Sequence, residues 1–345
     1  MSIKLARSPE VRLRDRSITL TTTHLRRRLG GGILSLTAAI AVGAVMTATA
    51  SATIGPLTPV TTFNAMLGQT PENLAVGPDG TVYVSLANAS EIVRIPPSGP
   101  ATYLPIPSGG GITVGIALVP GGQAVDVAVR SADASDAGIW QVPLSTFADP
   151  QRIAGLPTAA FPNGITFDRR GNLYIADSSL GVIWRLPPRS STPEVWSSDA
   201  LLAPAGGSFD GFPLPGANGI KVFRGMVYVS NTSSSEMLRV PIQPNGAAGT
   251  VTVWLTGVSV DDFAFALSGD IYAASNPASQ LLMITPTGAT TVVASGPDGL
   301  ANTSATLFDP APGHRTTLYV TNSAYFGGTP SLQEINVGEV GYPLP

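Results

Sequence analysis

The chain has 345 residues, 43% of them hydrophobic and 12% charged, with 38 glycines, 31 prolines and no cysteine. That length holds one large all-β domain or two ordinary ones. The glycine and proline content favours many short strands joined by turns, and the scarcity of charge argues against long solvated helices. The absence of cysteine excludes a disulfide framework, a thiolate metal site, a cysteine nucleophile and a lipoprotein anchor.

Residues 1–52 read as an export signal with a long lead-in. Arg26, Arg27 and Arg28 precede an apolar run from Ile33 to Met46, and Ala48-Thr49-Ala50 or Ala50-Ser51-Ala52 offers the small residues a signal peptidase accepts. The competing reading is a membrane anchor, but the run is shorter than the ~20 residues a spanning helix needs and is diluted by Gly, Ser and Thr. Sec and twin-arginine export both stay open, as does a start codon downstream of Met1. The expectation is cleavage, secretion to the periplasm or medium, and no stable membrane anchor. Residues 53–345 then form a single domain, expected to be a monomer. That domain carries 11 basic residues against 20 acidic ones, with Lys221 its only lysine. No basic stripe exists to follow a phosphate backbone, so nucleic-acid binding is disfavoured.

One phrase recurs along this domain. Glu72 to Leu86 (ENLAVGPDGTVYVSL), Asn163 to Asp177 (NGITFDRRGNLYIAD), Asn218 to Asn231 (NGIKVFRGMVYVSN) and Asp261 to Asn276 (DDFAFALSGDIYAASN) each give an alternating strand, a glycine-containing turn and a second strand with Tyr and small β-formers. Weaker copies run over Val114 to Arg130 and Ser304 to Asn322. The second strands centre near Tyr83, Val125, Tyr174, Tyr228, Tyr272 and Tyr319, a period of about 47 residues, within the range of propeller blades. Two further strands fit in each period, such as Glu91 to Ile95 and Thr102 to Pro105. The sixth unit has a third strand near Ser331 to Val337 but no fourth. The spare segment Pro59 to Asn64 is expected to supply it. The predicted fold is therefore an all-β, six-bladed propeller of four-stranded blades, whose N-terminal strand closes the last blade. A solenoid or paired sandwiches is the alternative.

In such a ring the residues opening successive inner strands converge on the axis. Here they are Glu72, Val114, Asn163, Asn218, Asp261 and Ser304. Two carboxylates and two amides make a hard-oxygen set that suits calcium better than zinc or copper. Taken singly, each has a plainer reading: Asn163-Gly164 and Asn218-Gly219 as turn dipeptides, Glu72 as a loop carboxylate, Asp261-Asp262 as an acidic surface pair. Their shared phase in a repeat that is otherwise hydrophobic favours the ligand reading.

The motifs ENLAVGPDG, PNGITFDRRGNLYIAD, ANGIKVFRGMVYVSN and DDFAFALSGDIYAA resemble those of the regucalcin, gluconolactonase and luciferin-regenerating-enzyme superfamily over residues 60–337. The resemblance implies one catalytic divalent cation, most often Ca2+, held by Glu72, Asn163, Asn218 and Asp261, and a hydrolase of lactones or related esters. Sugar-lactonase members carry an arginine two residues before the first of these asparagines, where this chain has Phe161. With Phe209 and Phe212 on nearby loops, Phe161 points to a substrate less polar than an aldonolactone; packing of Phe161 between blades is the equal alternative.

The expected chemistry is polarisation of the ester carbonyl by the cation, with Asp261 as general base on water or as nucleophile. The alternative class is a non-catalytic binding propeller with a structural calcium ion. Histidine chemistry is disfavoured, because His24 lies in the leader and His314 in a long turn. Asp177, Asn231, Asn276 and Asn322, at the ends of second strands, read as turn caps.

Overall fold

The computed structural model describes residues 54–345; the predicted export signal lies outside them. Twenty-four strands form six four-stranded antiparallel sheets, and a separate two-stranded hairpin, Ser208–Phe209 with Phe212–Pro213, stands apart from the blades. The inner strands are Pro71–Val76, Ile112–Leu118, Pro162–Phe167, Ala217–Phe223, Phe263–Phe265 and Thr303–Phe308. Each is followed by its three partners in order outward. The sixth blade is the exception: its outermost strand is Thr58–Thr62, which pairs antiparallel with Ser331–Asn336 through Thr58↔Glu334 and Thr62↔Ser331. The ring is thus closed by the N-terminal strand, as the repeat count predicts.

The alternating sequence places its apolar residues on both faces of every blade, and these meet between blades rather than in one central core. Six buried clusters result, one at each junction. Trp196 and Tyr174 of the third blade, for example, pack with Ile220, Val229 and Leu238 of the fourth. The junction of the sixth and first blades buries Phe63 from the end of the closing strand beside Leu74, Val84 and Tyr319.

Tyr174, Tyr272 and Tyr319 of the recurrent tyrosines are buried and bond their hydroxyls to carboxylates. Tyr174 donates to Asp168 Oδ2 at 3.2 Å and Tyr319 to Asp309 Oδ2 at 3.4 Å, both turn carboxylates of their own blade. In the fifth blade the turn begins Leu267-Ser268, and the partner comes from elsewhere: Tyr272 donates to Glu339 Oε1 at 2.9 Å. Glu339 belongs to a terminal segment that runs under the ring, where Leu267 N–H bonds Val340 O and Tyr342 N–H bonds Phe265 O. Tyr342 also packs edge-on against Phe223 of the fourth blade, 4.7 Å between centroids. The sequence reading assigned no role to this segment.

Candidate functional site

All six inner strands begin at one end of the ring, and the six residues expected to converge share one register position. In five blades that position is a β-bulge: the register slips between Pro71 and Asn73, Thr113 and Ile116, Pro162 and Ile165, Ala217 and Ile220, and Thr303 and Ala305. Glu72, Val114, Asn163, Asn218 and Ser304 each lie inside the slip. Asp261 holds the same place in the fifth blade, its N–H bonded to Ala274 O at 2.8 Å just before Phe263–Phe265 begins. A bulge re-aims a side chain that regular pleating would send between blades.

The glycines after these residues are not turn glycines, since they sit within strands. A Cβ on Gly115 would lie 2.1 Å from Asn163 O, one on Gly164 2.6 Å from Asn218 O, and one on Gly219 2.4 Å from Asp261 O. Adjacent inner strands touch backbone to backbone here, and only glycine permits it. The turn-dipeptide reading of Asn163-Gly164 and Asn218-Gly219 is thereby overturned.

Asn163 and Asn218 are buried and oriented by one repeated device. Ser178 Oγ gives its proton to Ala217 O at 2.7 Å, so it must accept from Asn163 Nδ2, at 3.2 Å. Thr232 Oγ1 gives its proton to Val260 O at 2.9 Å and accepts from Asn218 Nδ2, also at 2.9 Å. Asn218 Nδ2 donates a second bond to Asp261 Oδ1 at 2.8 Å. Both amides are thus fixed nitrogen-first, and among the described residues neither amide oxygen accepts a hydrogen bond.

Asp261 and Asp262 are buried, and Glu72 is half-buried. Burial raises Asp261 well above the ordinary aspartate range, helped by the charges of Glu72 and Asp262 and opposed by hydrogen bonds from Asn218 and Asn276. Burial likewise raises Glu72, to about 7, against a hydrogen bond from Tyr325. Tyr325 Oη donates to Glu72 Oε2 at 2.7 Å. The neighbouring Asp262 is compensated instead: Lys221 Nζ lies 2.6 Å from each of its oxygens and Asn73 Nδ2 donates at 2.9 Å. The acidic surface pair is therefore a buried pair with divided duties. Only Glu72 and Asp261 of the three carboxylates lack a basic partner.

Buried Asp261 and half-buried Glu72, which repel each other, and two unengaged amide oxygens have the chemistry to suit a hard divalent cation, whose charge would relieve the repulsion. The set contains no imidazole or thiolate for a softer metal.

Of the predicted aromatics, Phe209 and Phe212 are 38% and 66% exposed on the separate hairpin and meet Phe326, with centroids 4.8 and 5.9 Å apart. Phe161 does not join them. It is half-buried at the entrance of its strand, with the Arg130 guanidinium over its ring at 4.6 Å. His314 is exposed in its turn, on the opposite end of the ring.

Asp177, Asn231 and Asn322 are turn residues as expected; Asp177 accepts from the N–H groups of Phe161, Ser179 and Leu180. Asn276 is not. Its strand ends at Ser275, so Asn276 sits one residue further on, in the register of Ser178 and Thr232; its amide nitrogen lies 3.4 Å from Asn302 O and from Ser323 Oγ, and its amide opposes the upward shift of Asp261. Sequence reasoning missed this shift, and it missed Asn73, Lys221, Tyr325 and Phe326. Two adjacent aromatics in the loop Ser323 to Pro330, otherwise made of Ser, Ala, Gly, Thr and Pro, were the available signal.

No protein-family model and no curated protein matches the chain by sequence. Solved structures match its fold. A luciferin-regenerating enzyme superposes with a TM-score of 0.63 at 13% identity, covering 84% of this chain and 98% of its own. Regucalcin from Agrobacterium tumefaciens, described as a calcium-binding protein, gives 0.58 at 16%, covering 80% and 93%. A gluconolactonase from Xanthomonas campestris gives 0.58 at 15%, covering 86% and 98%. The chain is a six-bladed propeller of the kind these proteins share. A PQQ-bound aldose sugar dehydrogenase from Streptomyces coelicolor also matches, at 0.56 and 19%, so the fold alone does not select a chemistry.

Proposed function

We propose that this protein is a divalent-cation-dependent hydrolase of a lactone or related ester, and that Ca2+ is its ion. The observation that carries the reading is the fixed orientation of Asn163 and Asn218, which leaves two amide oxygens free beside two uncompensated carboxylates. Glu72, Asn163, Asn218 and Asp261 would hold the cation. Bound there, it supplies Lewis-acid polarisation of the ester carbonyl and charge stabilisation of the developing oxyanion.

The remaining work falls to the protein. Asp261 takes a proton from the attacking water as the water oxygen bonds to the carbonyl carbon; the C–O bond to the leaving group then breaks, and the proton passes to the departing alkoxide. Direct attack by Asp261, with later hydrolysis of the acyl intermediate, is the other route open to the same carboxylate. Asn218, donating to Asp261 Oδ1, holds that carboxylate in one orientation in either route. Tyr325 does the same for Glu72. Export in front of the domain would place this activity in the periplasm or medium, on small-molecule substrates, with the protein acting as a monomer.

Lactones, aryl esters and organophosphates should be assayed with calcium and with chelator. Turnover restored by calcium and lost at least 100-fold in Asp261→Ala is expected. No turnover under any metal condition would favour a non-catalytic binding propeller instead.

A further inference from the structure

The hairpin Ser208–Pro213 lies in the connection between the third and fourth blades, whereas Tyr325 and Phe326 lie in the loop after the second strand of the sixth. Both segments leave the ring at the end where the inner strands begin. In a six-bladed ring those two places are about 150° apart around the axis. Loops so far apart reach each other only by crossing the axial mouth. They do meet: Phe209 packs edge-on against Phe326 at 4.8 Å, Phe212 tilts against the same ring at 5.9 Å, and Tyr325 follows at 6.4 Å. One foot of this arch rests on the tetrad itself, through the hydrogen bond from Tyr325 to Glu72.

The arch has the chemistry of a ligand wall. Phe209, Phe212 and Tyr325 remain exposed and Phe326 half-exposed, although aromatic rings are costly to leave in water. The hairpin's two strands pair only with each other, turning through Asp210 and Gly211, both at positive φ. The loop Ser323 to Pro330 carries no charged residue. The arch therefore offers an apolar substituent a surface of aromatic rings and offers an anion no ion-pairing partner.

We propose that Phe209, Phe212 and Phe326 form the specificity wall of the site, and that they recognise an uncharged ester or lactone by an apolar alkyl or aryl arm. This rests on the reading of the tetrad end as the reacting end. Phe161 takes no part in the wall, because its ring is covered by Arg130.

The test is equilibrium binding to the calcium-loaded protein of two unreactive lactone mimics, cyclopentanone and 2-pentylcyclopentanone, by titration calorimetry. Wild type should bind the pentyl compound at least 10-fold more tightly, and Phe326→Ala should reduce that ratio below about threefold. Phe212→Ala, at a mostly exposed position where folding is not at risk, should reduce it in the same direction. Equal binding of the two ketones by wild type, or an unchanged ratio in both variants, would overturn the proposal. Because neither ketone can be hydrolysed, absence of turnover in the ester assay leaves this result readable. Conversely, ester turnover with a flat acyl-length profile from p-nitrophenyl acetate to hexanoate would remove the wall and leave the hydrolase standing.

Discussion

At the scale of single residues, the axis of this ring is organised by who compensates which charge. Lys221 is committed to Asp262, at 6% and 3% exposure, so its ammonium does not neutralise Glu72 or Asp261. Removing one member of such a pair strands the other. Lys221→Met should therefore cost about 3–5 kcal/mol in urea unfolding, and adding Asp262→Leu should recover most of it. A single variant as stable as wild type would show that the pair is not what holds Asp262. These charges were only partly legible in sequence. Lys221 stood out as the lone lysine, but its partner lies 41 residues away on the next blade, and no local pattern links them. The phase of Glu72, Asn163, Asn218 and Asp261 was legible because the repeat is in near-perfect register there. The orientation of the two amides was not, since it depends on Ser178 and Thr232 passing their protons to neighbouring strands.

At the scale of elements, strand positions followed from alternation, Gly-containing turns and the recurrent tyrosine, and the second strands fall where the period put them. Bulges escape such reading, because a one-residue slip leaves no mark in composition. The glycines after Asn163 and Asn218 looked like turn signals and are backbone contacts instead. Asn276 looked like a cap for the same reason: a shift of one residue exchanges a turn position for one facing Asp261. The arch was half legible, through Phe209 and Phe212, while their partner Phe326 comes from a blade on the far side. The closing strand was fully legible by counting. It contributes its ladder to Ser331–Asn336 and delivers buried Phe63 to the junction of the sixth and first blades. Deleting residues 53–65 should cost at least about 3 kcal/mol, the scale of a buried Phe→Ala change alone. A truncated domain that melts with the intact one would contradict ring closure by this strand.

At the scale of the whole molecule, six junction cores hold the ring and the site sits where they cannot relieve it. Glu72, raised from 4.5 to about 7, keeps its proton in the folded state over a pH range where the unfolded chain has lost it. The folded state then binds more protons, so stability falls as pH rises from about 4.5 through 7. Asp261 acts in the same direction. Metal-free protein should accordingly melt lower at pH 8 than at pH 5, and excess calcium should lift the pH 8 value most, because the cation favours the ionised carboxylates. A melting temperature that rises with pH in chelator would refute this. The most direct test of the account is calorimetric titration of chelator-stripped protein with Ca2+ at pH 7.5. The account predicts one equivalent per chain in wild type and at least a 100-fold loss of affinity in Asp261→Ala. No binding by wild type, or undiminished binding by the variant, would contradict it.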